Sequence, residues 1–210
     1  MKNKRARGIV SACLITGLFC LAVFGTHMQN EKKGIEEMEN VLVSNMLYGY
    51  VDALDVYASN LQVLAFEKES PAYIYRLHEA LGLMKAGSDS LSRETYGDVL
   101  ADGLSQSIRD LTRQLSGFTY RFAGKYPKQS TEMDSSLLEI AKQIRQASGS
   151  IDNALKHSSA EPWIRNPANE GEWMLYKGYI LDDLSEDAVA LEINRLIEEN
   201  EIIMQKLEWE

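Results

Sequence analysis

The sequence predicts an all-α fold, with an N-terminal transmembrane helix followed by an antiparallel bundle of four to five helices. Three observations predict it. Residues 8–26 contain no charged side chain, and apolar residues further along recur at alternating spacings of three and four. Period-two alternation bounded by hairpin dipeptides does not occur. The predicted domains are a basic stub at 1–7, an anchor at 8–26 and a helical bundle at 30–210.

The predicted anchor is oriented by the charges around it. The 210 residues contain 22 bases and 31 acids, which gives a formal net charge of −9. Residues 1–7 contain four of the bases and no acid, so the remainder has 18 bases against 31 acids. Nineteen helical residues rise about 28 Å, close to the hydrocarbon thickness of a bilayer. We therefore expect a single-pass protein of the cell membrane, with its N-terminus in the cytoplasm and its bundle outside.

Three other interpretations of this segment are open. A cleaved secretory signal would use Gly25–His27, which is a poor cleavage site, and a lipoprotein signal would use Val10–Cys13, which resembles a lipobox. A buried globular helix is the third. The apolar run is long for a cleaved signal, and it continues well beyond Cys13, which disfavours a lipoprotein signal. The charge asymmetry around the run disfavours a buried globular helix. An uncleaved signal anchor is therefore the favoured interpretation. Both cysteines, Cys13 and Cys20, lie in this segment, so no disulfide framework is expected in the bundle.

The first bundle helix is predicted to run to about Glu69 along a heptad seam. The seam consists of Val43, Leu47, Tyr50, Leu54, Tyr57, Leu61 and Leu64. The second helix is predicted to begin at Ser70-Pro71, an N-cap followed by a proline at the first helical position. Its apolar positions are Ile74, Leu77, Leu81 and Met84, and Gly87–Ser90 is expected to break or kink it.

Two further helices follow the same periodicity. The third has Leu100, Leu104, Ile108, Leu111, Leu115, Phe118 and Phe122 on one stripe. It is expected to close at Gly124–Gln129. The fourth starts near Thr131, with Asp134 as a capping-box variant. Its seam consists of Met133, Leu137, Ile140, Ile144, Ala147, Ile151 and Ala154.

The C-terminal part begins with the longest irregular stretch, at 158–172. Trp173–Leu184 is apolar and predicted to be helical. The last helix is predicted to start at Ser185 as its N-cap, with acidic residues in its first turn. Val189, Ile193, Leu196, Ile203 and Leu207 form its seam, and Asn200 occupies a core-type position.

No pattern of catalytic residues is present in the sequence. His27, His78 and His157 lie far apart, without a His or Cys at ligand spacing, so we expect no metal site. A nucleophile elbow and a glycine-rich phosphate loop are both missing. We therefore expect a protein that is not an enzyme and has no cofactor. A cell-wall hydrolase using Glu170 and Glu172 is a weaker alternative, and the acidic outer part disfavours nucleic acid as a partner.

The irregular stretch contains the candidate partner-binding residues, Trp163, Arg165, Asn166 and Trp173. Long loops and exposed tryptophans are common in recognition surfaces. The conservative interpretation is that both tryptophans pack across the bundle end. Tyr50 and Tyr57 are interpreted as core residues rather than as a ligand box.

A short anchor and a heptad helix precede LTRQLSGFTYRFAGKYPKQS at 111–130 and LLEIAKQIRQASGSIDNAL at 137–155. This order resembles the N-terminal helical region of the YpeB family of spore-germination proteins. Leu115–Tyr120 matches that family's hydrophobic-Gly-aromatic-x-Tyr segment. The family has C-terminal PepSY domains, and the resemblance covers the region before them. It implies a non-enzymatic, membrane-tethered protein that holds or protects a cortex-lytic enzyme in the spore.

These observations together predict a membrane-anchored, extracytoplasmic interaction protein. We expect the bilayer to bind it through residues 8–26 and a protein partner, or a second copy, to bind the bundle. The alternative is a sensor-type ectodomain that takes a small ligand within the bundle.

Overall fold

The computed structural model describes five helices and two short antiparallel ladders in the part of the chain for which placement is defined. The described backbone covers residues 2–66, 72–91, 102–125, 131–157, 159–160, 163–165, 173–175, 178–179 and 183–207. Side chains are described at 23–35, 39, 41–66, 72–91, 103–125, 133–155 and 186–207. The helices are α1 Lys2–Phe66, α2 Ala72–Leu91, α3 Asp102–Lys125, α4 Thr131–His157 and α5 Asp183–Lys206.

The chain divides into two compact units. One comprises Met1–Met38 and Trp163–Tyr176, and the other comprises Glu39–Pro162 and Lys177–Glu210. The second unit contains the helical bundle, so the predicted all-α class is confirmed. Its helix pairs include α2 with α3, α3 with α5, and α4 with α5.

Hydrogen bonds establish the helix directions within the bundle. Tyr50 and Tyr57 of α1 reach Thr112 and Thr119 of α3, so these two helices run in the same direction. Tyr48 of α1 bonds Asp152 of α4, whereas Ser59 accepts a hydrogen bond of 3.0 Å from Arg145, so α1 and α4 run in opposite directions. This is the alternation expected of helices joined by short connections.

The heptad seam of α1 lies in the core as predicted. All seven of its side chains are at most 1 % exposed: Val43, Leu47, Tyr50, Leu54, Tyr57, Leu61 and Leu64. The α3 stripe from Leu104 to Phe122 and the α4 seam from Met133 to Ile151 are buried as well. Narrow stripes of this kind exclude water only when several helices pack together. Leu100 lies outside the described residues, as do Ser70 and Pro71.

Of the two outcomes predicted at Gly87–Ser90, a break or a kink of α2, the break is wrong, because the helix continues to Leu91. Ser88 is buried, and Gly87 lies against the ring of Tyr50. Packing of this turn on α1 outweighs the weak helix propensity of Gly and Ser.

The predicted helix at Trp173–Leu184 is also wrong. Trp173–Leu175 (β3) pairs with Trp163–Arg165 (β2), and Gly178–Tyr179 (β4) pairs with Ser159–Ala160 (β1). These strands contradict the expectation of an irregular stretch without strands. The periodicity of a short apolar run does not show whether the run forms a strand or a helix. Helix α5 begins at Asp183, so Ser185 lies in its first turn rather than at the N-cap.

The predicted anchor lies within the helical backbone of α1, and the side chains of residues 8–22 are outside the described set. Among the described residues, no helix contains an apolar stretch long enough to cross a bilayer.

Candidate functional site

Three of the four residues predicted to bind a partner lie on the β2–β3 ladder. Arg165 is the register partner of Trp173, and Trp163 is the register partner of Leu175. The register therefore brings Trp163, Arg165 and Trp173 together in one two-stranded ladder. Asn166 lies outside the described residues, as do Glu170 and Glu172.

The core tyrosines form a repeated polar contact between α1 and α3. The Tyr50 hydroxyl lies 2.9 Å from the Thr112 hydroxyl, and the Tyr57 hydroxyl lies 2.7 Å from the Thr119 hydroxyl. Each threonine also donates to the carbonyl four residues earlier, at 2.8 Å for Thr112 and 2.9 Å for Thr119. The tyrosine hydroxyls can donate to the same two carbonyls, Tyr50 to Ile108 at 3.2 Å and Tyr57 to Leu115 at 3.4 Å, so each carbonyl is shared by a threonine and a tyrosine.

The burial of Tyr50 and Tyr57 identifies them as core residues. It raises the pKa of both phenols well above the ordinary value of 10.0, so they are neutral at physiological pH. Tyr50 is 1 % exposed and Tyr57 is fully buried. The interpretation of both residues as core, not as a ligand box, is confirmed.

A first groove, of about 630 Å³, lies between α1 and α2. Its lining consists of Val56, Ser59, Asn60, Arg76, Glu79, Ala80, Gly82 and Leu83. Val56 is 49 % exposed and Leu83 is 64 % exposed, although both border a concave surface. Arg76 and Glu79 add one charge of each sign. Exposed apolar side chains within a concave surface with polar edges are typical of a protein-docking site.

A second groove, of about 620 Å³, lies between α2 and α3. Its lining consists of His78, Leu81, Gly82, Lys85, Ser88, Asp89, Arg109, Thr112, Arg113, Ser116 and Gly117. Three of these residues are permanent cations and one is an acid. His78 is exposed, and it also borders this groove.

Neither groove was predicted from the sequence, although the sequence contains a signal for the second one. His78 and Lys85 are seven residues apart on α2, and Arg109 and Arg113 are four apart on α3, so each pair shares a helix face. The pairing of α2 with α3 brings these two faces to one groove. The sequence does not show that α2 and α3 are neighbours, so this groove could not be predicted from it.

Asn200 of α5 is fully buried, and among the described residues neither its amide nitrogen nor its amide oxygen has a hydrogen-bond partner. It therefore lies in the core, as its core-type position in the sequence predicted. One turn earlier, the Ile197 carbonyl accepts a hydrogen bond of 2.9 Å from Gln114 of α3. A buried amide without a partner costs about 1–3 kcal/mol relative to one that is satisfied.

Comparisons with known proteins are negative: no protein-family model, curated protein or solved structure matches the chain. Within the described residues, no group of three or more His, Cys, Asp or Glu side chains could hold a metal ion.

Proposed function

We propose that this chain is a membrane-anchored helical interaction protein, whose bundle holds a protein partner in the groove between α1 and α2. Residues 8–26 form the single-pass anchor in this proposal, with the N-terminus in the cytoplasm and the bundle outside. The uncharged run, the basic residues before it and the acidic chain after it support this topology. The helical backbone from Lys2 to Phe66 is compatible with it.

One observation supports the choice of the α1–α2 groove as the docking surface. Leu83 exposes 64 % of its side chain, and Val56 exposes 49 %, on opposite walls of the same groove. Isolated exposed apolar residues are normal on protein surfaces, but a pair across a groove is a docking feature. Full burial of one such side chain contributes about 1.5–3 kcal/mol, so two of them can serve as binding anchors.

The shape of the groove favours a helical segment of the partner. A cleft between two antiparallel helices accepts an amphipathic helix, whose apolar positions recur every three or four residues. Arg76 and Glu79 line the same groove and can fix the direction of that helix by charge. The resemblance to the YpeB family suggests a cortex-lytic enzyme as this partner and the spore membrane as its location.

Site-specific photo-crosslinking tests the proposal in membranes that contain the full-length chain. We expect a crosslinker at Leu83 to capture one reproducible protein, and the V56K/L83K double variant to lose co-purification of that protein. Leu191 of α5, which is 72 % exposed and does not line the groove, is the matched control position. Absence of a captured protein at Leu83, equal capture from Leu191, or capture of only a second copy of this chain would contradict the proposal.

The alternative function, a sensor-type ectodomain, is favoured by a different observation. The α2–α3 groove has the volume of a small-molecule site, which is commonly about 300–1,000 Å³, and its charged and hydroxyl side chains converge from two helices. A thermal-shift screen of the full chain would test this function, since a ligand that binds only the folded state raises Tm.

A further inference from the structure

Cations line the α2–α3 groove in a chain that is acidic overall. Lys85 on one wall and Arg109 and Arg113 on the other border the same 620 Å³ space. The chain beyond residue 7 has 18 bases against 31 acids, so three cations around one groove run against the bulk charge. Arg109 and Arg113 are also four residues apart, where like charges destabilise a helix.

The nearby acids compensate only part of this charge. Asp89 lines the groove, and Asp110 pairs with Arg113 at 3.1 Å. Arg109 donates to the side-chain oxygen of Gln106 at 2.9 Å, which is a neutral partner. In the described part of the chain, Lys85 forms no ion pair. Each guanidinium has five N–H donors, so both arginines retain donors for a further acceptor.

We propose that the α2–α3 groove binds a small oxyanion, a compound that carries carboxylate or phosphate groups. Guanidinium groups bind such anions bidentately, and the Lys85 ammonium adds a point charge from the facing helix. An anion placed between them would relieve the repulsion between Arg109 and Arg113. The inference does not depend on the proposed partner-binding function, because the cations line a different groove.

The remaining lining suits a compact ligand. Gly82 and Gly117 have no side chains that would fill the groove. Ser116 is exposed and offers a hydroxyl donor, whereas the Thr112 hydroxyl is already used by Tyr50 and the Ile108 carbonyl. The hydroxyl and guanidinium donors in the lining favour a ligand with anionic acceptor groups over an uncharged ligand.

Titration calorimetry on the full-length chain tests the proposal, with pyrophosphate and citrate as soluble probes. Vesicles of phosphatidylcholine with or without phosphatidylglycerol test a lipid headgroup as the source of the phosphate. We expect saturable binding of at least one anionic probe, with affinity that falls as salt is added. The K85Q/R109Q variant should bind that probe about tenfold more weakly or worse.

The charge-matched control is K142Q/K206Q, which removes two cations from α4 and α5 without touching the groove. It should retain the wild-type Kd. Circular dichroism melting curves check that both variants fold. No saturable binding to the wild type, or an equal loss in K142Q/K206Q, would overturn the inference. Crosslinking at Leu83 is measured separately, so failure of this site and failure of partner binding give different results.

Discussion

The ring of Tyr50 lies against the backbone of Gly87, where a Cβ atom built on the glycine would meet Tyr50 Cδ2 at 3.6 Å. That distance is an ordinary van der Waals contact and leaves room for a methyl group.

The Gly87→Ala substitution should therefore stabilise the protein. Alanine is a better helix former than glycine by about 0.5–1 kcal/mol, and its methyl group would pack on the Tyr50 ring. The midpoint of chemical denaturation measures the effect. Gly149→Ala on α4 is the control, because nothing lies within 4 Å of its added Cβ and it reports helix propensity alone. A destabilised Gly87→Ala protein would show that the helix does break at this glycine.

The contact between Tyr57 and Thr119 should contribute measurably to stability. We expect Tyr57→Phe to lower the free energy of unfolding by about 0.5–1.5 kcal/mol, since a buried hydroxyl pair at 2.7 Å is lost. Together with Thr119→Val it forms a double-mutant cycle, and the combined loss should be smaller than the sum of the single losses. Tyr120→Phe is the control, because that side chain is 80 % exposed. Strict additivity in the cycle would argue against the contact.

Stability should fall in alkali because of the two buried phenols. Burial raises the pKa of Tyr50 and Tyr57 in the folded state above 10.0, while the unfolded chain ionises near that value. The unfolded state therefore releases protons first, so the stabilisation is complete below pH 10.0 and is lost as the pH rises above it. Denaturation midpoints measured across this range should decline. The denaturation midpoint of the Y50F/Y57F variant should decline less steeply with pH. A slope identical to that of the wild type would refute the attribution of the decline to these two phenols.

Replacing Asn200 with leucine should raise the stability. Its amide is fully buried and has no partner in the part of the chain that the structure describes, so an apolar side chain removes a desolvation cost of about 1–3 kcal/mol. Thermal melting measures the gain as a higher Tm. The same change at Asn60 is the control, because that buried amide donates to the Val56 carbonyl at 2.9 Å and should give no gain. A lower Tm for Asn200→Leu would mean that the amide has a partner in solution.

The helices of the bundle could be predicted from the sequence because their apolar residues recur at regular spacings. Leu47, Leu54 and Leu61 repeat every seven residues, and such a repeat can be buried only as a helix stripe. The start of α4 near Thr131, which was predicted with Asp134 as a capping-box variant, is also confirmed.

The failures occurred where local patterns compete with tertiary pairing. Gly87–Ser90 has the composition of a turn, yet contact with Tyr50 keeps it helical. Trp173–Leu175 is apolar enough for a helix, yet it pairs as a strand with Trp163–Arg165. The α2–α3 groove depends on which helices are neighbours, and no residue pattern in a single helix reveals that.

The two tyrosine–threonine contacts between α1 and α3 have the same sequence offset, 62 residues in each case. Apolar seams with a seven-residue repeat look alike after a shift of one heptad, so they fix an axial alignment poorly. A shift by one heptad would leave one tyrosine hydroxyl opposite no threonine. The two tyrosine–threonine contacts thus fix the axial register of α1 against α3. The apolar contacts between the two helices do not determine this register.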